Sequence, residues 1–369
     1  MNIALITIHW ANNYGAALQT YAMSEALKPY GNVSVIDYRS EKPAKGMQLL
    51  RLGTSPRDIL RAGKDVFRLC PRYRAIKKFQ KFNNEFLNIT PFIVNGAKWR
   101  NIADENDVFI AGSDQIWNPD VVSDKGILDG RFFLDFVKDK KKFSYASSMG
   151  THRYTEKQLS EVKDYLDDFE KLSVRERDSA SYLQANIFRD VRTVVDPTLL
   201  LNKEEWVSHF GVLSEKKPYI LVYALNKDSL LKRVVEAVSA GLGLDVIALD
   251  QDPFLNYKSA KHIKDAGPVD FLSYFYNAEF IITNSFHGLC FSIIMEKNFL
   301  VTNPLGSANR IENLLSSLNL SERRVVDDSS NAEIDGSLSS DINYVSVTPK
   351  VEQARKFSLA YIKEAIYGI

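Results

Sequence analysis

Cysteine is nearly absent: Cys70 and Cys290 are the only two in 369 residues, and neither has histidines at ligand spacing beside it. A disulfide framework and a structural zinc site are both excluded, and no metal is expected. Charge of one sign is missing as well. The chain has 47 basic and 46 acidic residues, a formal net charge of +1, so no global field draws it to nucleic acid and any electrostatic argument must be local. No apolar run reaches the roughly 18 to 20 residues of a membrane-spanning helix. The first residues, Met1 to Ile8, form a buried-strand pattern with no basic n-region or small-residue cleavage site, so a signal peptide is not expected and the expected location is the cytoplasm. Internal repeats at solenoid spacing and low-complexity segments are also lacking.

What is present is the composition of a globular protein, 45% apolar and 25% charged. Its length suits two domains of roughly 150 residues with a cleft between them. Short apolar runs alternate with helical stretches. Ile3–Ile8, Val33–Ile36, Val108–Ala111, Phe143–Ala146, Leu172–Val174 and Thr193–Val195 read as strands bounded by Gly, Asn, Asp or Pro, with helices predicted at Gly15–Lys28, Glu156–Phe169 and Asp178–Gln184. A second series follows, with strands at Tyr219–Val222, Asp245–Ala248, Phe280–Thr283 and Phe299–Thr302. The predicted fold is α/β: two Rossmann-like, doubly wound domains, 1–205 and 206–350, facing a cleft. A final helix, 351–369, is expected to pack back on the first domain.

Residues 42–100 interrupt the pattern as an insertion in the first domain. Between 42 and 81 lie twelve basic side chains against only Asp58 and Asp65, with Ile59, Leu60, Val66, Phe67 and Leu69 as a possible apolar stripe. A solvated helical face and a contact with an anionic acceptor or membrane surface are both compatible with that pattern.

In doubly wound sheets ligands bind beyond the carboxyl ends of the strands, which selects the polar residues to weigh. After the first strand comes His9-Trp10-Ala11-Asn12-Asn13-Tyr14-Gly15. It lacks the Gly-x-Gly-x-x-Gly fingerprint, but Gly15 opens a helix whose N-terminus suits a phosphate or carboxylate; the alternative is a plain capping turn. After Val108–Ala111 come Ser113, Asp114, Gln115, Trp117 and Asn118. Such a loop can bind a sugar, with the indole covering C–H surface and the polar groups binding hydroxyls, or Trp117 can be core and Asp114 a cap. Arg175 ends a strand, where its planar fork fits an anion. Arg177 is read as pairing with a surface acid.

The most informative stretch is Phe280-Ile281-Ile282-Thr283-Asn284-Ser285-Phe286-His287-Gly288. A buried strand ends in small polar residues, and His287 falls in the first turn of an apolar helix. A lone histidine is more often a core residue than a catalyst. A helix N-terminus disfavours imidazolium and a bound anion reverses that preference, which suits general acid catalysis on an anionic substrate. Arg310, opening the next helix, is a second candidate for anion oxygens.

Taken in order, Asn12 to Gly15, Ala111 to Pro119, Ser144 to Ser148, Ser173 to Glu176, Val195 to Thr198 and Thr283 to Gly288 resemble the polysaccharide pyruvyl transferase family. The resemblance implies a fold similar to B-type glycosyltransferases, phosphoenolpyruvate as donor, a sugar diol as acceptor, and a pyruvate ketal and phosphate as products, with no cofactor. It implies His287 as proton donor, Arg175 as anion clamp, and Asn13 and Gly15 in the N-terminal ligand loop; Arg310, Asn284 and Ser285 are expected beside them on the donor side. Asp114 is the expected base for the acceptor hydroxyl, and Asn12, Tyr14, Ser113, Gln115, Trp117 and Asn118 are expected on the acceptor side. The glycan partner is free or lipid-linked at the inner membrane face. Two positions depart from the family pattern: Ser285 stands where many relatives carry arginine, and Ala16 where they carry aspartate. Arg310 is the expected substitute. A nucleotide-sugar glycosyltransferase and a non-catalytic glycan-binding protein are the competing readings; against the first, Phe286–Met295 lacks the paired glutamates of many such enzymes.

Overall fold

The computed structural model describes residues 1–50, 63, 66, 68–93, 96–212, 217–302 and 308–368. The chain divides into two compact units: Met1–Gln48, Gln80–Leu201 and Glu352–Ile369 form the first, and Leu49–Phe79 with Asn202–Val351 the second.

The first unit is built on strands β1 (Asn2–Ile6), β2 (Asn32–Val35), β3 (Val108–Ala111) and β4 (Lys141–Ser144), parallel and in the order β2-β1-β3-β4. The short parallel pair β5 (Leu172–Val174) and β6 (Val191–Thr193) is joined to β4 through bridges Phe143↔Lys171 and Ser147↔Val174. Period-two alternation sends Ile3, Leu5, Val108 and Ile110 into one apolar cluster and Ala4, Ile6, Phe109 and Ala111 into another. Both faces are therefore buried, which is why these strands read as unbroken apolar runs. Helix α1 (Tyr14–Leu27) has almost no solvated face and carries no charge except Glu25.

The helix Tyr344–Tyr367 passes from the second unit into the first just after Pro349. Its last turns place Tyr361, Ile362, Ala365 and Ile366 in the first unit's core. Polar contacts fix their register: Tyr361 donates to Ser144 O at 2.9 Å, and Glu364 meets Lys171 at 2.6 Å and Arg192 at 2.5 Å.

The second unit carries β7 (Ile220–Tyr223), β8 (Val246–Leu249), β9 (Lys261–Ile263), β10 (Phe280–Thr283) and β11 (Asn298–Val301), all parallel, in the order β11-β10-β7-β8-β9. In each sheet the chain winds outward one way and then returns to the other side. The direction reverses between β1 and β3 in the first sheet and between β7 and β10 in the second. Such reversal points open a crevice at the carboxyl ends of the strands, where ligands bind.

The basic segment differs from its sequence reading. Leu49–Phe79 falls in the second unit and not in the first domain, and several charges of the described part of the basic run are paired within the chain. In the helix Leu69–Phe86, Arg74 pairs with Asp265 at 2.5 Å and Lys78 with Asp270 at 2.8 Å, while Arg68 donates to Gln251 O. Within the first unit Lys45 pairs with Asp124 and Lys42 donates to Asp120 O. Arg51, Arg57, Arg61, Lys64, Asp58, Asp65, Ile59, Leu60 and Phe67 lie outside the described residues. Among the described residues no helix is long and apolar enough to cross a membrane.

Candidate active site

The reversal point of the second sheet carries His287. Helix α2 (Phe286–Ile294) begins directly beyond β10, and His287 is its second residue, 9% exposed. The turn is closed by short-range chemistry. The Thr283 hydroxyl donates across to Tyr223 O at 2.6 Å and accepts the Ser285 N–H at 3.1 Å, while Ser285 Oγ caps the helix by accepting from Gly288 N–H. Gly288 lets the helix approach so closely: a Cβ there would stand 2.2 Å from Thr283 Oγ1. Helix α3 (Ala308–Leu318) brings Arg310 to the same turn, its guanidinium 5.4 Å from the Phe286 ring centre. A helix N-terminus, an arginine and an imidazole thus share one small region, a setting that favours an anion.

The side chains of Asn284 and Ser285, both expected on the donor side, are engaged in holding the turn itself. Asn284 accepts from Leu225 N–H at 2.7 Å and donates to Asn226 O and Oδ1 at 2.9 and 2.6 Å. It sews the loop after β10 to the loop after β7. Ser285 is the helix cap and also bonds the Tyr223 phenol, which burial pushes up despite that bond.

In the first unit the largest difference from expectation concerns Arg175, directly after β5. Its side chain is 2% exposed and lies among three carboxylates: Asp196 at 2.7 Å, Glu176 at 3.2 Å and Asp114 at 3.9 Å. Burial alone would lower its pKa, but Glu176, Asp196 and Asp114 outweigh it and hold the guanidinium above its ordinary range. With one positive and three negative groups, this setting does not favour an added anion, unlike the clamp expected of Arg175. Asp196 is itself held by Thr198 N–H and Oγ1 and by Ser113 Oγ, and Ser148 Oγ donates to Glu176. Ser113, fully buried, therefore belongs to this network and does not face an acceptor.

Trp117 is also corrected. It is 1% exposed, stacks on Phe133 at 5.3 Å and donates Nε1–H to Phe132 O, so it is core and not a sugar platform. Asn118 caps the short helix Pro119–Val122 and donates to Gln115 Oε1. Asn13 caps α1 by accepting from Ala16 N–H at 3.1 Å, Tyr14 and Gly15 are buried in its first turn, and Asn12 is half-buried. Asp114 remains partly accessible, held in the left-handed region at φ 70 where its Oδ1 accepts from Gln115 N–H.

A further constellation was not found from sequence. His9 Nε2 lies 3.2 Å from Asp37 Oδ1, and Arg39 grips both oxygens of Asp37 at 2.8 and 2.7 Å. These residues lie just past β1 and β2, and only the pairing of those strands brings them together. Burial would raise the Asp37 pKa, but hydrogen bonds from His9 and Arg39 win and lower it from 3.8 to about 2. A depressed carboxylate stabilises the fold above its unfolded pKa and loses that contribution as pH falls through the folded value. Asp37→Asn should therefore lack up to about 2 kcal/mol of the stability that wild type loses between about pH 4 and pH 2. Urea unfolding at a series of pH values checks this; identical acid limbs would contradict it.

Two doubly wound parallel units with sites at both reversal points define the α/β class of the B-type glycosyltransferases, and the solved structures agree. A UDP-N-acetylglucosamine 2-epimerase of Neisseria meningitidis bound to UDP-GlcNAc is similar with a TM-score of 0.53, 9% identity and 100% of both chains covered. A Listeria monocytogenes protein described as a UDP-N-acetylglucosamine 2-epimerase gives 0.53 and 10%, covering 99% of this chain and 95% of that one. At such identities the likeness concerns the fold alone. No curated protein sequence matches the chain. The family model for polysaccharide pyruvyl transferase matches residues 13–304. The chain belongs to that family.

Proposed function

We propose that the protein transfers the pyruvyl group of phosphoenolpyruvate to two hydroxyls of one sugar in a polysaccharide or its precursor, forming a cyclic ketal and releasing phosphate. The observation that carries this reading is the α2 turn, where a helix N-terminus carrying His287 in its first turn and Arg310 beside Phe286 share one small region that favours an anion. Phosphoenolpyruvate is an enol ester carrying a carboxylate and a phosphate. Its C2 becomes electrophilic only when C3 gains a proton.

His287 delivers that proton to C3, and Arg310 with the α2 N-terminus holds the anionic groups in place of the family arginine absent at Ser285. One acceptor hydroxyl attacks C2 and gives its proton to a general base. The C2–O bond to phosphate then breaks, phosphate leaving with the bonding pair, and the second hydroxyl closes the ring. Of the two hydroxyl protons one replaces that given to C3 and the other leaves with phosphate. Preorganised donors of this kind contribute about 3 to 4 kcal/mol each at the transition state.

Incubating the protein with phosphoenolpyruvate and a panel of free and lipid-linked glycans tests the reading. Phosphate release coupled to the mass gain of one pyruvylidene group is expected. Turnover only with a nucleotide sugar would replace this reaction with glycosyl transfer, and saccharide binding without turnover on any donor would replace it with a binding role.

A further inference from the structure

The described exposed aromatics of the first unit include one built arrangement. Arg39 places its guanidinium carbon 3.6 Å from the centre of the Trp10 ring and 4.4 Å from that of Phe92. Three neighbouring segments supply the three residues. Trp10 follows β1 and Arg39 follows β2. Phe92 lies on a segment that runs beside β2 through Val35 N–H to Asn88 O at 2.8 Å, Thr90 N–H to Val35 O at 2.9 Å, and Ile93 N–H to Asp37 O at 3.4 Å. The stack therefore stands at the carboxyl edge of the sheet, and its Trp10 shares a loop with Asn12 and Asn13.

It is also held rigidly. Asp37 fixes the guanidinium through two hydrogen bonds, His9 fixes Asp37, and Thr90 Oγ1 accepts the Asp37 N–H at 2.9 Å. His9 and Asp37 are buried, whereas Phe92 is 44% exposed and Trp10 and Arg39 are half-buried. Buried polar groups are thus arranged behind an aromatic surface that is left open to solvent. Because Asp37 neutralises Arg39, this surface is not an anion site. With Arg39 packed over both rings and neutralised by Asp37, the exposed remainder of this aromatic surface has the chemistry to hold the apolar C–H face of a pyranose ring.

We propose that Trp10, Arg39 and Phe92 form a saccharide subsite that binds a pyranose unit of the acceptor, the role the sequence assigned to Trp117. The assignment rests on the glycan-acceptor reading above, but saccharide binding can be measured without transfer. Wild type, Trp10→Ala, Phe92→Ala and the conservative Trp10→Phe are compared in two experiments, with circular dichroism and urea unfolding confirming the fold of each. In the transfer assay the acceptor KM of both alanine variants should rise about tenfold, the loss expected for one well-placed aromatic contact. The phosphoenolpyruvate KM should stay unchanged, and Trp10→Phe should recover most of the loss. On an array of bacterial oligosaccharides, wild type should bind pyranose chains in the absence of donor, and the alanine variants should lose that signal.

If wild type transfers nothing yet binds saccharides through Trp10 and Phe92, the reaction is wrong and the subsite stands. Folded alanine variants with unchanged acceptor KM and unchanged array binding overturn the subsite while leaving the reaction intact. Absence of any saccharide binding by wild type overturns it as well.

Discussion

His287→Asn is expected to lower phosphate release from phosphoenolpyruvate by about 10²- to 10⁴-fold, the contribution of a well-placed general acid, while the phosphoenolpyruvate KM changes little. The reasoning starts from position. His287 is the second residue of a helix that opens at the reversal point of its sheet, and it is partly screened from water. Asparagine keeps a hydrogen-bonding side chain of similar reach but cannot pass a proton to carbon. If His287 only positioned the anion, the KM would rise and the turnover number would survive, so steady-state kinetics in acceptor and donor separates the two roles. Single-turnover measurement in deuterated water adds a second readout: the product methyl group takes its third hydrogen from solvent through the enzyme acid, and this incorporation should slow in proportion to turnover. Near-normal turnover in the variant would remove His287 from the chemistry and leave Arg310 and the helix N-terminus as an anion site in search of another acid.

What the sequence showed and what it hid follow from how local each signal is. Val108–Ala111, Leu172–Val174 and Phe280–Thr283 are strands at the residues their apolar runs predict, because a strand buried on both faces needs no partner to be visible. β9 escaped because Lys261-His262-Ile263 lies at the edge of the sheet, where one polar residue after another is tolerated. The position of His287 was legible for the same local reason, a buried strand running into an apolar helix. Trp117 was misread because its polar neighbours in sequence are not its neighbours in space, where Phe133 and Phe169 take its ring. The His9, Asp37 and Arg39 arrangement was invisible because strand pairing, which no single segment encodes, creates it. That the basic run joins the second unit was hidden for a related reason: Asp265 and Asp270, which meet Arg74 and Lys78, are far away along the chain.

Arg175→Met is expected to destabilise the first unit by about 3 to 5 kcal/mol, the loss typical when one partner of a buried ionic group is removed. The magnitude comes from what stays behind. Asp196 and Glu176 have side chains at most 2% exposed, and Asp114 is close to the same guanidinium. Without the arginine these carboxylates repel one another in a region from which water is largely excluded, and they must either take up protons or open the loops after β3, β5 and β6. Arg175→Lys should lose less but still clearly, since a single ammonium cannot meet three carboxylates set around a planar fork. Adding Asp196→Asn to Arg175→Met should restore part of the loss, because it removes one of the stranded charges, and a double-mutant cycle in urea measures that coupling. An anion clamp would behave in the opposite way: the arginine variants would keep the wild-type unfolding midpoint and show only a raised phosphoenolpyruvate KM. Asp114, the base expected from the sequence, belongs to this buried group. Its backbone is held in the left-handed region at φ 70 and its carboxylate is the one member of the cluster with appreciable access to solvent. In the folded fraction of Arg175→Lys, a fall in turnover without a change in donor KM is therefore expected, because a single ammonium held by Asp196 and Glu176 no longer orients the expected base as the fork does.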